Sequence, residues 1–273
     1  MEKQTPGSIS HTYWKIEHDK PAEAVEGGMI EESLVSIYVN CRELATVMCS
    51  PLDQEALALG FIYNEGIIQS PDEVRVLKTN LSRTVVDVFL DRVEFTPPRR
   101  IILTSGCSGG TTFRQLTEAY PALESDFATT SDVIFQRMRD LKGESQLYNQ
   151  VRGAHTAALV DEERVLVSAE DVGRHNTIDK IAGKALLNDV ETRDRIILST
   201  GRISSEMLNK ARIMNIPLVA SRTTPTSISV RLAQAWNICI VGYVRQNRMR
   251  VYTHPQRLGL SVKEQAVLEQ AHG

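Results

Sequence analysis

Residues 195–244 read RIILSTGRISSEMLNKARIMNIPLVASRTTPTSISVRLAQAWNICIVGYV, and their order decides the fold. Three short apolar runs, 195–198, 217–220 and 238–244, have the length and β-branched content of buried strands. Between them lie 204–214 and 226–236, each opening on hydroxyl residues suited to helix caps and carrying apolar residues at helical spacing. Strands alternating with single helices over loops this short must run parallel, with the helices covering the sheet.

Upstream, 156–160 and 164–168 predict a hairpin around Asp161-Glu162-Glu163, followed by a helix over 174–187. A last short strand is expected near 250–252. The order gives an α/β fold whose C-terminal domain, 151–273, is a three-layer α/β/α sandwich. The N-terminal part differs. Residues 31–50 read as a hairpin around Asn40-Cys41, with a turn longer than two residues expected because cysteine does not relieve the strain of a tight turn. A short helix over 53–63, capped by Asp53, and strands at 74–77 and 84–90 complete a smaller β-rich domain, 1–97. The PPRR of 97–100 marks the boundary. Residues 98–150 then form a connection holding a third apolar run, 101–103, and a helix over 131–142 opened by a Ser/Asp cap.

The 273 residues carry a formal net charge of −3, which argues against a dedicated duplex-DNA or anionic-membrane binder and leaves room for a local basic patch. The N-terminal MEKQTPGSIS has no apolar signal core, and no apolar run is long enough to span a bilayer. The expectation is a cytoplasmic protein with no nucleic-acid partner and no membrane segment. Cys41, Cys49, Cys107 and Cys239 are far apart and include no C-x-x-C pair, so neither a zinc knuckle nor a disulfide framework is expected.

Cys107 is the exception among these thiols. It lies in LTSGCSGGTT, residues 103–112, among glycines and hydroxyls, and between Pro97 and Arg114 there are three arginines and no acid. Such surroundings favour the thiolate and mark a reactive cysteine. Cys239, within Asn-Ile-Cys-Ile-Val, reads as a core thiol, and Cys41 and Cys49 as structural ones.

Three polar, glycine-bearing stretches, 170–176, 199–206 and 221–227, each fall where a strand ends and a helix begins. Singly, Ser204-Ser205-Glu206 and Thr226-Ser227 read as helix caps; together on one sheet edge, each with an arginine, the three point to an oxyanion such as phosphate. His155, Arg174, His175 and Arg202 are candidates for the rim of such a site, with Asp171 and Asp179 expected to fix arginine or histidine side chains. The segment Tyr243, Val244, Arg245, Gln246, Asn247 and Arg248 joins the last two strands. Its arginines, amides and aromatic face suit a base and a phosphate.

The hairpin followed by αβ units is similar to the cytidine deaminase fold. Zinc deamination needs His-x-Glu and Pro-Cys-x-x-Cys, and neither occurs, so that chemistry is excluded.

The ordered motifs Ile37-Tyr38-Val39-Asn40, Leu59-Gly60-Phe61, Glu65-Gly66-Ile67-Ile68, Thr104-Ser105-Gly106-Cys107, Gly153-Ala154-His155, 170–176, Ser199-Thr200-Gly201-Arg202, Ser221-Arg222, Pro225-Thr226-Ser227 and Val241-Gly242-Tyr243 resemble the FdhD/NarQ family. That resemblance implies a cytidine-deaminase-like core without metal and a cytoplasmic homodimer. It also implies an accessory sulfurtransferase of formate dehydrogenase, which takes sulfur from a cysteine desulfurase as a persulfide. The sulfur is passed to the molybdenum of the bis-molybdopterin guanine dinucleotide cofactor, which is bound transiently through its GDP-like moiety. The persulfide cysteine of the family falls on Cys107, and its cofactor-contacting segment on Tyr243–Arg248. One departure is plain: where relatives carry Cys-x-x-Cys, this chain has Cys107-Ser108-Gly109-Gly110. Two other classes compete: a chaperone that binds the cofactor without moving sulfur, and a Cys–His acyl-transfer enzyme, for which no ordered base can be assigned.

Overall fold

The computed structural model describes residues 5–96, 102–103, 111–112 and 120–260. Its centre is a six-stranded mixed sheet with strand order β10-β9-β11-β12-β13-β14. The strands are β9 (His155–Val160), β10 (Val165–Asp171), β11 (Ile196–Ser199), β12 (Leu218–Ser221), β13 (Cys239–Gly242) and β14 (Arg250–Val251). As the sequence order requires, β11, β12 and β13 are parallel; β9 and β10 join as an antiparallel hairpin and β14 closes the other edge antiparallel to β13.

The period of two along each strand sorts the side chains into two cores. Ala157, Leu159, Ile197, Val219 and Ile240 face α4 (Arg174–Leu187), α5 (Ser205–Ile213) and α6 (Ser227–Trp236). Ala158, Val160, Ile196, Leu198, Ala220 and Val241 face α2 (Ser131–Glu144), through Ile134, Met138 and Leu141. Both faces of the sheet are therefore covered by helix, which is why its strands read as continuous apolar runs.

A second sheet, ordered β4-β3-β6-β5, is built from β3 (Ser33–Val39), β4 (Arg42–Cys49), β5 (Val74–Thr79) and β6 (Val85–Leu90). Val35, Ile37, Val39, Val86 and Val88 pack one face of it on α1 (Gln54–Asn64). The β3–β4 turn corrects the expectation of a longer loop. Val39 pairs with Arg42, and Asn40 and Cys41 both take the left-handed backbone, at φ 47° and 63°, so the turn has two residues and cysteine does occupy a strained position.

α1 is buried on nearly all sides because it lies between that sheet and α4. The two helices cross at Gly60 and Gly183. A methyl group built on Gly60 would stand 1.8 Å from the Asp179 carbonyl oxygen, and one on Gly183 1.8 Å from that of Ala56. Only glycine allows backbones this close.

Two cap expectations are corrected. Asp53 sits at the start of α1 but makes no side-chain cap; its carboxylate instead pairs with Lys184 on α4 at 2.6 Å. α2 is capped one residue earlier than expected, by Thr130, whose hydroxyl accepts from the Val133 N–H. Two features were not expected from sequence: the hairpin β1 (Ser8–Lys15) and β2 (Glu23–Ile30), and the short helix α3 (Gln146–Val151). β7 (Ile102–Leu103) and β8 (Thr111–Thr112) pair antiparallel, Leu103 opposite Thr111, and so bracket residues 104–110 in sequence. No helix among the described residues is long and apolar enough to cross a membrane.

Candidate functional site

The carboxyl ends of β10, β11, β12 and β13 and the start of β9 meet at one edge of the large sheet. Asp171 pairs with His155, and Ser199 with both Ala157 and Ser221. The three polar stretches and the 243–248 segment therefore do converge. Two of the three helix starts within them, those of α5 and α6, are capped by side chains of the protein itself, and α4 begins at Gly173 without a side-chain cap. Ser204 caps α5 by accepting from Met207 N–H, Thr226 and Ser229 form a reciprocal box at α6, and the Asp171 carboxylate accepts from Gly173 N–H ahead of α4. The individual cap readings are the correct ones here, and what these stretches offer a ligand is side chains.

Two of those side chains, Thr200 and Arg222, face a cleft of about 900 Å³ between the α2–α3 wall and the 244–248 segment, and none from 170–176 does. Arg222 and Thr200 enter it from the ends of β12 and β11. Six cations line it, Arg139, Lys142, Arg152, Arg222, Arg245 and Arg248, together with the amides of Asn149, Gln246 and Asn247. No carboxylate occurs among its described lining residues. Uncompensated positive charge in a concave site attracts an anion and is ordered by it. The 243–248 segment is held to the sheet by Tyr243 N–H donating to Thr223 O at 2.9 Å and Val244 N–H to Ser221 O at 3.0 Å, and closes on itself through Arg245 N–H to Arg248 O at 2.9 Å. Val244 is buried, and Arg245–Arg248 are exposed. Tyr243 is not among the residues lining the cleft, and the Arg250 guanidinium lies 4.3 Å from its ring centroid.

Sequence reading missed Arg139, Lys142, Tyr148 and Arg152. On α2 and α3 they read as the solvated face of ordinary helices, and only the fold turns that face into a wall. The signal available was the clustering of cations around an aromatic residue, with no compensating acid between Lys142 and Arg152 other than Glu144.

The histidines lie behind the cleft. His155 Nδ1 is 3.5 Å from Thr200 Oγ1, and a methyl group built on Gly201 would meet the Arg174 side chain at 2.8 Å and His155 Nδ1 at 3.4 Å. His175 bridges Ser204 Oγ, 3.0 Å from Nε2, and Glu206 Oε2, 3.3 Å from Nδ1. Burial pushes the His175 pKa down to about 4 despite Glu206, with Lys210 and Arg174 adding to the effect. Burial, helped by Arg174, also lowers that of His155. Both rings are neutral at pH 7 and serve as hydrogen-bonding groups. Of the four rim candidates the structure gathers His155, Arg174 and His175 around 201–204, while Arg202 is exposed.

Asp171 and Asp179 pair with lysines rather than with arginine or histidine. Lys180 Nζ is 2.6 Å from Asp171 Oδ2, both fully buried, and donates further to Ser50 O and Glu170 O, each at 3.2 Å. Lys210 Nζ is 2.6 Å from Asp179 Oδ2, and Asn64 Nδ2 donates to the other oxygen at 2.7 Å. Burial opposes the Lys210 charge, but Asp179, Glu206 and Glu65 more than offset it and hold the ammonium form.

Cys107 and Arg99, Arg100 and Arg114 lie outside the described residues. Of the other thiols, Cys49 and Cys239 are buried and pushed up to about 12 by burial, whereas Cys41 is exposed. Among the described residues no cluster of histidine, cysteine or carboxylate could hold a metal ion.

The model of the FdhD/NarQ family matches residues 30–259. The chain is 32% identical over 253 residues to the sulfur carrier protein FdhD of Bacillus subtilis, covering 90% of this chain and 95% of that one. It is 35% identical over 249 residues to the protein of the same name from Halalkalibacterium halodurans, covering 88% and 91%. The crystal structure of a protein described as a formate dehydrogenase accessory protein, from Desulfotalea psychrophila, superposes with a TM-score of 0.75 at 25% identity, covering 93% of this chain and all of that one.

Proposed function

The chain belongs to the FdhD/NarQ family, and from that premise we propose that it is a sulfur carrier serving formate dehydrogenase, with Cys107 as the persulfide-bearing residue. The observation that carries this reading is the cleft at the sheet edge whose described lining residues include six cations, Arg245 and Arg248 among them, and no carboxylate. Such a cleft suits the diphosphate and base of a guanine dinucleotide. In this reading the substrate is the molybdenum bis-molybdopterin guanine dinucleotide cofactor, held through its GDP-like moiety for the duration of transfer and not kept. The two helix-covered faces of the large sheet favour the cytidine-deaminase-like arrangement, and the protein acts in the cytoplasm as a homodimer.

The chemistry needs one thiol. Cys107 thiolate attacks the outer sulfur of a persulfide on a cysteine desulfurase; an S–S bond forms, another breaks, and the donor thiolate departs, with no net redox change. Release of the outer sulfur as sulfide to the metal consumes two electrons, supplied by two equivalents of an external thiol that becomes a disulfide, and Cys107 returns to thiolate. Gly110, where relatives carry the second cysteine, makes the external thiol necessary.

Gly110 also favours the second reading, a chaperone that delivers the cofactor without sulfurating it. Mass spectrometry after incubation with a cysteine desulfurase and cysteine separates the two. The carrier gains one sulfur, about 32 Da, on the Cys107 peptide, and a Cys107→Ala variant yields inactive formate dehydrogenase. If that variant supports full activity, the carrier reading is wrong and the chaperone stands.

A further inference from the structure

Two aromatic residues line the cleft, Phe135 and Tyr148. Phe135 packs against the apolar core beneath α2, so its ring is already committed. Tyr148 joins none of the three apolar clusters and is half-buried, and the Arg152 guanidinium lies 5.1 Å from its ring centroid. A planar cation beside an aromatic ring is a surface on which a flat heterocycle stacks whatever its edge pattern.

This pair is held in place. The backbone N–H groups of Leu147 and Tyr148 donate to the Glu170 carboxylate at 2.7 and 3.0 Å, and the Thr156 hydroxyl donates to the same carboxylate at 3.3 Å. Glu170 thus fastens the start of α3 to β9 and β10. The other wall of the cleft presents Arg222, Arg245 and Arg248, with no aromatic ring among its described residues. Cations stand on both walls, Arg139, Lys142 and Arg152 on one and Arg222, Arg245 and Arg248 on the other, whereas the one available aromatic ring among the described lining residues belongs to the α2–α3 wall.

We propose that Tyr148, with Arg152, is the platform that receives the heterocycle of the bound nucleotide, which makes α3 the specificity-determining wall of the cleft. The proposal rests on the nucleotide-binding reading above. Because stacking rewards the larger ring system, it also makes the cleft prefer a purine over a pyrimidine nucleotide.

The test is calorimetric titration of the full chain with GDP, CDP and inorganic pyrophosphate. In the Tyr148→Ala variant, GDP affinity falls by about tenfold or more, the preference for GDP over CDP narrows, and pyrophosphate binding is unchanged. Tyr148→Phe keeps the ring and binds GDP like the unaltered protein. Undiminished GDP binding by Tyr148→Ala overturns the platform while leaving the nucleotide reading intact, as does an equal loss of GDP and pyrophosphate in both variants. Failure of the unaltered protein to bind either GDP or pyrophosphate overturns the nucleotide reading itself, and the platform with it.

Discussion

At the scale of single residues, environment decides what each titratable group does. His175 is neutral when folded because its ring is buried, with a pKa of about 4 against an ordinary 6.5. Between those values the unfolded chain binds the proton and the folded one does not, so stability falls as pH drops from 6.5 towards 4. The effect of this one group is on the order of 3 kcal/mol. In urea titrations across that window, His175→Gln flattens the pH dependence; an unaltered slope would remove His175 as its source. The thiols separate in the same way. Native protein treated with iodoacetamide at pH 7.5 is alkylated at Cys41 and spared at Cys49 and Cys239, as peptide mass spectrometry will read, because burial keeps the latter two protonated. Much of the site was legible at this scale. Arg222, Thr200 and 244–248 stood out because polar residues and glycines interrupted an otherwise regular strand-helix alternation. Tyr148 and Glu170 were legible only as types: what matters is that Glu170 grips the start of α3, a contact across 22 residues that no local pattern encodes.

At the scale of elements, the α1–α4 crossing is the most demanding joint. Gly60→Ala or Gly183→Ala forces a methyl group into a carbonyl oxygen on the facing helix, and each lowers stability by about 3 kcal/mol or more. Gly143, near the end of α2, is the control. A methyl group there meets nothing within 4 Å, and Gly143→Ala stabilises by roughly 0.5–1 kcal/mol. Denaturant midpoints for the three variants check the contrast. The large-sheet elements were readable because β11, β12 and β13 are buried on both faces and the helices after β11 and β12 are each capped by a hydroxyl, Ser204 and Thr226. β1 and β2 were not, because their side chains are largely exposed and no sustained alternation marks them. The Asn40-Cys41 turn misled for a physical reason: register, fixed by the facing strands, overrode the cost of a left-handed cysteine.

At the scale of the molecule, a buried ion pair ties the two sheets together. Asp171, at the end of β10, accepts from Lys180 on α4 and from the Ser50 N–H just after β4. Lys180→Met leaves that carboxylate buried without its cation and costs about 3–5 kcal/mol. Since α1 joins the small sheet to α4, which covers the large one, far-UV and near-UV circular dichroism report a single coincident transition in urea, in the variant as in the parent. Two separate transitions would mean that the sheets are independently stable.

The glycine crossing also bears on how this molecule can move. Interfaces of interleaved side chains can slip from one set of rotamers to another, but main chain resting on main chain has no second arrangement to adopt. The joint between the small sheet and α4 is therefore a weld, and a cargo cannot be admitted or released by swinging one half against the other. Whatever opening admits it lies on the cleft side of the large sheet, away from the α1–α4 joint.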